Sequence, residues 1–476
     1  MVEGEDIEKV NNIKIHNLQQ PLEVKIAKAL FRARKRSLPQ LRFEDQSLTS
    51  YAGLVVFQKL FGELGLDGRL KQVSGGPGAC SLALVFKLIV IHSIIGLKRF
   101  RDGELCRDDP MVGRLLGSRS VPGVSSVSRA LSAAGDEEVE GFQKLSTDMV
   151  LERLAGENFG TVTLDFDGTV LSTKRRAQGT ACGFNRKAKG RRSYYPLVCT
   201  LAQTGQVFDL VHRSGNVHDS NGAVGFMRAC VERVRRVCPR ARIEVRADSA
   251  FFSDATVTAL EALGVEYSLS VPFERFPELK EFIGGRKAWR TVKSADGTKG
   301  FQKRWKPKSW NRKARFVFVR SCNPRKQKDP LQLDLFQPRE FGFDYKVVVS
   351  NKTGSMKSVA SFHDGRGQQE NLFAELKSEG TLGYIPARKW NANKLYLIAG
   401  MLAHNLNREL QMRARPRQRS TSPGRSPMWI FHRMDTIRRT LVARAGRITR
   451  PQGSTTLTMS PNGAYKELIE TYLNAA

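Results

Sequence analysis

Two different periodicities run along this chain, and they divide it. Between Leu54 and Leu64 the apolar residues Leu54, Val55, Phe57, Leu60, Phe61 and Leu64 recur at helical spacing. The pattern predicts a helical region over residues 48–150, broken by Gly75-Gly-Pro-Gly78 and Pro122-Gly123. Within it, Ser125 to Leu131 reads as a capped helix start with Arg129 exposed. That reading is compatible with a recognition helix and equally with an ordinary bundle helix. From Thr161 to Asp167 the rhythm changes to strict alternation, the signature of a strand. Ser193–Leu201 and Gln206–Val211 predict two more strands, turning around Thr204-Gly205. Asn221–Val237 then predicts a helix, Ile243–Ala247 a strand, Asp254–Leu263 a helix and Val265–Val271 a strand. Residues 272–340 lose this order. They are basic and Trp-containing, with strands expected at Phe316–Val319 and, just beyond, Tyr345–Ser350. Arg366–Met412 is strongly helical, and Arg413-Ala-Arg-Pro-Arg-Gln-Arg419 reads as a flexible basic linker.

Charge changes the picture. Among 476 residues there are 78 Lys and Arg against 46 Asp and Glu, a formal charge of +32. Almost all of the excess sits in three runs, 174–192, 286–328 and 411–450. This points to a polyanion partner rather than a cationic substrate, with binding that weakens steeply in salt. A membrane is a poor candidate: the longest apolar run, Leu82–Leu97, contains Lys87 and His92 and is short for a bilayer. The acidic N-terminus lacks the order of a secretory signal. The 7 cysteines form no Cys-x2-Cys pair, which argues against a zinc knuckle and for a reduced cytoplasm. No Gly-rich phosphate loop or dinucleotide fingerprint is present, so no nucleotide cofactor is expected.

In so basic a chain, carboxylates at strand ends need a reason. Asp165 and Asp167 lie two apart on one strand and share a face opposite Leu164 and Phe166. Asp248 ends the strand predicted at 243–247, which would neighbour the first. Paired acids repel unless a divalent cation sits between them. Further on, Arg366, Glu370, Phe373 and Lys377 fall on one helical face, so that a carboxylate is flanked by two cations. His218 beside Asp219 reads as part of a helix cap, and His404 as a core histidine.

These residues together resemble the DDE transposases of bacterial insertion sequences. Arg366-x3-Glu370-x6-Lys377 matches the spacing of the Tyr-x2-Arg-x3-Glu-x6-Lys signature, with His363 in place of Tyr. Asp167-Gly-Thr169 matches the first acidic motif and Asp248-Ser249 the second. Gly215-Asn-Val-His-Asp219 resembles a turn of the same family. Gly365-Arg-Gly-Gln-Gln-Glu370 and Trp390-Asn-Ala-Asn393 are most similar to the subgroup named after insertion sequence thirteen-eighty.

The resemblance implies an α/β fold: a ribonuclease H-like catalytic core interrupted by a β-rich insertion, with a helical N-terminal domain. The implied layout is a basic arm (1–45), a helical DNA-binding or dimerisation domain (46–155), the core (156–272 and 346–412), the insertion (273–345) and a basic C-terminal region (413–476). Asp167, Asp248 and Glu370 would be the catalytic acids and the ligands of two Mg²⁺ ions, with Mn²⁺ as a substitute, and Asp165 a rival for the first position. Two metals would activate the attacking oxygen and stabilise the leaving one. Arg366 and Lys377 would hold phosphates near the scissile bond. Lys174, Arg175, Arg191, Arg192, Lys303, Arg304 and Lys306, within the basic runs, would be further DNA contacts. Trp305 and Trp310, with Trp289, are candidates to stack on a base. The partners would be double-stranded DNA (terminal inverted repeats and target) and a second copy of the chain. The implied reaction is cut-and-paste transposition through a hairpin, in the cytoplasm at the nucleoid. The competing readings are a catalytically inactive DNA-binding relative and a ribonuclease H-like nuclease without strand transfer.

Overall fold

The computed structural model describes residues 38, 40–74, 81–174, 176–183, 185, 188–218, 221–293, 297–322, 339–340 and 343–475. Most of the expected basic arm, Gly75–Gly78, Arg175, Asp219 and much of the segment between 323 and 342 lie outside the described residues. Residues 47–476 form one compact unit; residues 1–46 are a separate one, of which 38 and 40–46 are described.

The first elements are helical, as the period of 3.6 predicts. They are α1 (Val55–Glu63), α2 (Leu66–Val73), α3 (Leu82–Ile95), α4 (Pro110–Leu116), α5 (Val124–Ala133) and α6 (Asp136–Glu157). The Leu82–Leu97 run becomes α3, capped by Ser81, whose Oγ accepts from the amide of Leu84, and stopped by Gly96 in the left-handed region at φ 93°. It is apolar on every side because it is buried on every side. Even Lys87 is 4% exposed, its ammonium 2.5 Å from Asp67. Among the described residues no helix is long and apolar enough to cross a membrane. In α5 Arg129 is exposed as expected, but the N-cap is Gly123, with no side-chain cap.

The strands β1 (Thr161–Gly168), β2 (Leu197–Leu201), β3 (Val207–Val211), β4 (Arg242–Ala247), β5 (Glu266–Ser270), β6 (Arg290–Lys293), β7 (Thr298–Trp305), β8 (Ala314–Cys322) and β9 (Phe343–Ser350) form one mixed sheet. Their order is β6-β7-β8-β9-β5-β4-β1-β2-β3. β4 runs parallel to β1 and to β5; β2 and β3 are antiparallel. Ser193 and Tyr194 do not join β2. They belong to Arg192–Tyr194 in a small sheet with Leu171–Ser172 and Ala181–Cys182. The strands expected to belong to an insertion extend the same sheet, because β8 pairs with β9 and β9 with β5.

Helices α7 (Ala223–Val237) and α8 (Asp254–Ala262) pack on the apolar side of the sheet, where Phe166 meets Phe226 edge-on at 5.7 Å. α9 (Pro277–Gly284) follows β5. On the opposite side lie α10 (Met356–Asp364), α11 (Gly367–Ser378) and the long α12 (Trp390–Ala414). The last helix, α13 (Gly463–Ala475), packs on α12 and α1.

The segment after α12 is not the flexible linker its composition suggests. Met428 and Trp429 are buried, the amide of Met428 donates to Gln203 O at 2.8 Å, and Arg425 grips Glu244 with two hydrogen bonds of 2.8 and 2.9 Å. Arginines that read as solvated charge instead cross-link the strap to the sheet. Gly365 is required by this closure: a Cβ there would lie 1.7 Å from Gly424 O.

Candidate active site

β1 alternates Leu164 and Phe166 towards the apolar core with Thr163, Asp165 and Asp167 towards the other side. That second side is buried yet polar. Glu244 and Arg246 from β4 and Ser268 from β5 are all 0% exposed.

Asp165 pairs with Arg246, its register partner on β4, through hydrogen bonds of 2.5 and 2.8 Å. The remaining Arg246 donor reaches Phe362 O at 2.8 Å and Gly424 O at 2.7 Å. Both carboxylate oxygens of Asp165 are thereby engaged inside the protein.

Asp167 lies one pleat further on, at the strand end. Arg366 Nη1 donates to its Oδ2 at 3.0 Å, and the Gly168 amide to its Oδ1 at 2.8 Å. Arg366 Nη2 donates to Glu370 Oε1 at 3.3 Å. One guanidinium therefore holds two acids brought from distant parts of the chain. The Glu370 side chain is 64% exposed, against 16% for Asp167. Asp248 follows β4 directly. Phe166 pairs with Ala247, so Asp167 and Asp248 are the residues that follow the last registered pair of two neighbouring parallel strands. Asp248 Oδ1 accepts from the Ala250 amide at 3.0 Å and caps the turn that follows.

Among the described residues no three His, Cys, Asp or Glu side chains gather closely enough to hold a metal ion. Two carboxylates that share one cationic group form an oxygen-only donor pair suited to a hard divalent cation.

Three residues that sequence reasoning did not single out position this site. Gln369 is buried and donates to Asp165 O at 2.9 Å, which ties α11 to β1 beside Glu370. Arg246 joins the sheet, α10 and the strap. Glu244, buried among Arg425, Lys352 and Thr163, is held down to about 2 by these partners against the opposing effect of its burial. His363, at the Tyr position of the signature, faces away from the acids. Its ring nitrogens lie 2.6 Å from Ser268 Oγ and 2.7 Å from Ser270 Oγ, and burial, with nearby Lys346, Arg366 and Arg246, keeps it neutral. It clamps α10 to β5. His404 is a core histidine, bonded to Gly205 O at 3.1 Å.

The other expected DNA contacts divide. Lys174, Arg191, Lys303 and Arg304 are exposed. Lys303 lies 3.3 Å from the Phe282 ring centroid, and Arg304 donates to Lys313 O. Arg192 is exposed but donates to Thr180. Lys306 donates to Trp310 O at 2.7 Å. Lys377 is half-buried on α11. Trp310 is a correction: it is 4% exposed and stacked on Phe252 at 5.0 Å, so it is core and offers no face to a base. Trp305 is half-buried against Phe276 and Phe316, and Trp289 packs beside Phe301 under Arg320. Arg175 lies outside the described residues.

The sequence matches the family described as Transposase DDE domain group 1 over residues 31–475. The chain belongs to that family: it is a DDE transposase, an enzyme that cleaves DNA and transfers strands. Among solved structures, a piggyBac transposase synaptic complex with hairpin DNA aligns with 75% of this chain and 74% of its own at 11% identity, with a TM-score of 0.43. The Mos1 mariner paired-end complex with Mn aligns with 33% and 52% at 14% identity and a TM-score of 0.16. No curated protein matches the sequence.

Proposed function

We propose that the chain is a cut-and-paste transposase of the subgroup named after insertion sequence thirteen-eighty, acting on the ends of its own element. Asp167, Asp248 and Glu370 are the catalytic acids. The observation that carries this is the Arg366 guanidinium bound to Asp167 and Glu370 together, at the strand end where Asp248 is the adjacent residue. The strand order β3-β2-β1-β4-β5, with β1, β4 and β5 parallel, supports a ribonuclease H-like core, which the insertion lengthens. The helices before it, 46–155, and the region after it, 413–476, supply DNA-binding or dimerisation surfaces, and the working unit is a homodimer on two ends.

The three acids would hold two Mg²⁺ ions, which supply activation of the attacking oxygen and stabilisation of the leaving one. The protein's own contribution is positioning. Gln369 and Arg246 fix the helix and the strand that carry the acids, and Arg366 keeps Asp167 and Glu370 close. As DNA enters, Arg366 and Lys377 are placed to hold phosphate oxygens beside the acids. Lys174, Arg191, Arg192, Lys303, Arg304 and Lys306 extend the track, and the first cut is followed by attack of the freed 3′-OH on the opposite strand to form a hairpin.

Purified protein with Mg²⁺ and a labelled duplex carrying the element's terminal repeat tests this. Hairpin and strand-transfer products are expected. Asp248→Ala should abolish them, by at least about a thousandfold, while end binding persists. Nicks alone would indicate a nuclease, a shift without cleavage an inactive relative, and cutting by the Asp248→Ala variant a wrong assignment of the acids.

A further inference from the structure

The acids at the end of β1 already hold a cation, and it is the protein's own. Arg366 Nη1 donates to Asp167 Oδ2 at 3.0 Å and Nη2 to Glu370 Oε1 at 3.3 Å, while the Gly168 amide donates to Asp167 Oδ1 at 2.8 Å. Both oxygens of Asp167 and one of Glu370 therefore accept hydrogen bonds from the chain itself. A divalent ion drawn to the same oxygens meets a fixed positive charge bonded to two of its ligands. Like charges that close repel appreciably even at an effective dielectric constant of about 20.

The contact is built to be given up. The Glu370 side chain is 64% exposed and that of Arg366 17%, so water can replace bonds that break, and a pair of this kind contributes little to stability. Arg366 divides its two terminal nitrogens between two acids. Arg246, by contrast, is 0% exposed and sets two donors on Asp165 alone. A guanidinium does not leave a carboxylate by losing its proton in the pH range of a folded protein. It leaves for another anion, and its planar donors fit the oxygens of a phosphodiester.

We propose that Arg366 is the resting counter-ion of Asp167 and Glu370, and that a DNA phosphate draws it off before these acids take a divalent ion tightly. Metal and DNA then load cooperatively: the factor by which DNA raises metal affinity is the factor by which metal raises DNA affinity. This rests on the reading of the two acids as metal ligands, and adds to it a charge held inside the protein that keeps their affinity for metal low until a strand is in place.

The test is a titration of the full chain with Mn²⁺, free ion being read by its electron paramagnetic resonance signal, so that no cleavage is involved. Without DNA, Arg366→Met should bind Mn²⁺ about tenfold more tightly than wild type. Arg366→Gln, which keeps a donor for the acids but not the charge, should do the same. Adding Asp167→Asn to either should remove the gain. The titration is then repeated with a pre-cleaved terminal-repeat duplex ending in a 3′-deoxy nucleotide, which has no 3′-OH to transfer. It should tighten Mn²⁺ binding about tenfold in wild type and less than about threefold in Arg366→Met. Equal DNA-free affinities in wild type and the uncharged variants would overturn the proposal, as would equal tightening by the duplex in both. Failure of both variants to fold would overturn it too, by showing that the contact is structural. If all three chains bind equally and Asp167→Asn abolishes binding, the acids remain the metal ligands and the counter-ion role alone falls. A gain that survives Asp167→Asn would instead remove the assignment of the acids, and the proposal with it.

Discussion

Asp165 and Asp167 occupy the same side of β1, one pleat apart, and each meets an arginine, but the two pairs are built for different ends. Asp165 and Arg246 are sealed: neither side chain is more than 2% exposed, and the guanidinium's other contacts are backbone carbonyls of α10 and the strap. Asp167 lies where the strand leaves the sheet, and its arginine is shared with a largely exposed glutamate. A charge pair in the interior fixes geometry and cannot be spared. A pair at the rim keeps its partners close while leaving them able to exchange one cation for another. Moving two residues along a strand converts a structural bridge into a candidate reaction centre.

The largest test of this contrast is to neutralise each acid alone. Asp165→Asn leaves Arg246 charged and buried, and should cost about 3 kcal/mol or more in urea unfolding. Asp167→Asn should change stability by less than about 1 kcal/mol, because Arg366 retains Glu370 and partial access to water. Activity should divide the other way, with Asp167→Asn folded and inactive. Equal destabilisation by the two variants would show that the rim pair is as structural as the buried one.

A smaller effect is expected where the strap meets the sheet. Arg425 binds Glu244 from a segment with no regular structure. Arg425→Met should lower stability by about 2 kcal/mol and expose residues 415–431 to limited proteolysis, since Lys352 and Thr163 still satisfy part of Glu244. Unaltered proteolysis would mean that apolar packing of Met428 and Trp429, and not the arginine, holds the strap.

The contrast also shows what could be read in advance. The alternation of Thr161–Asp167 placed both acids on one side, and the Arg-x3-Glu spacing put Arg366 beside Glu370, because both are local consequences of strand and helix period. What β1 faces is set by register with β4, and no local pattern states that Asp165 will lie opposite Arg246. The strap escaped for a related reason. Arg417, Arg419 and Arg425 look like linker charge until Glu157 and Glu244 are known to lie opposite two of them. Trp310 shows the opposite error, an aromatic set among lysines that turns inward onto Phe252. Gln369 could have been found: it adjoins the glutamate on the helix, and a buried amide at that place has only strand carbonyls to meet.

The finest test uses pH, because the sealed side and the helical core respond to acid in different windows. Glu244, held down to about 2, contributes stability that is complete above its unfolded value near 4.5 and is lost as pH falls towards 2. The buried histidines act earlier. Burial lowers His92 and His404 to about 4, with Arg408 adding to the effect at His404 and Glu375 opposing it. The unfolded chain takes up these protons below about 6.5, while the folded chain resists until about 4. Stability should therefore begin to decline below about 6.5, ahead of the loss from Glu244, which sets in only near 4.5. His404→Gln keeps a donor towards Gly205 O and removes one titrating group, so its loss over this interval should be shallower than wild type by about 1 kcal/mol per pH unit. Parallel curves from urea unfolding at stepped pH would mean that His404 is not buried neutral, and would place the acid sensitivity in the carboxylates of the sheet.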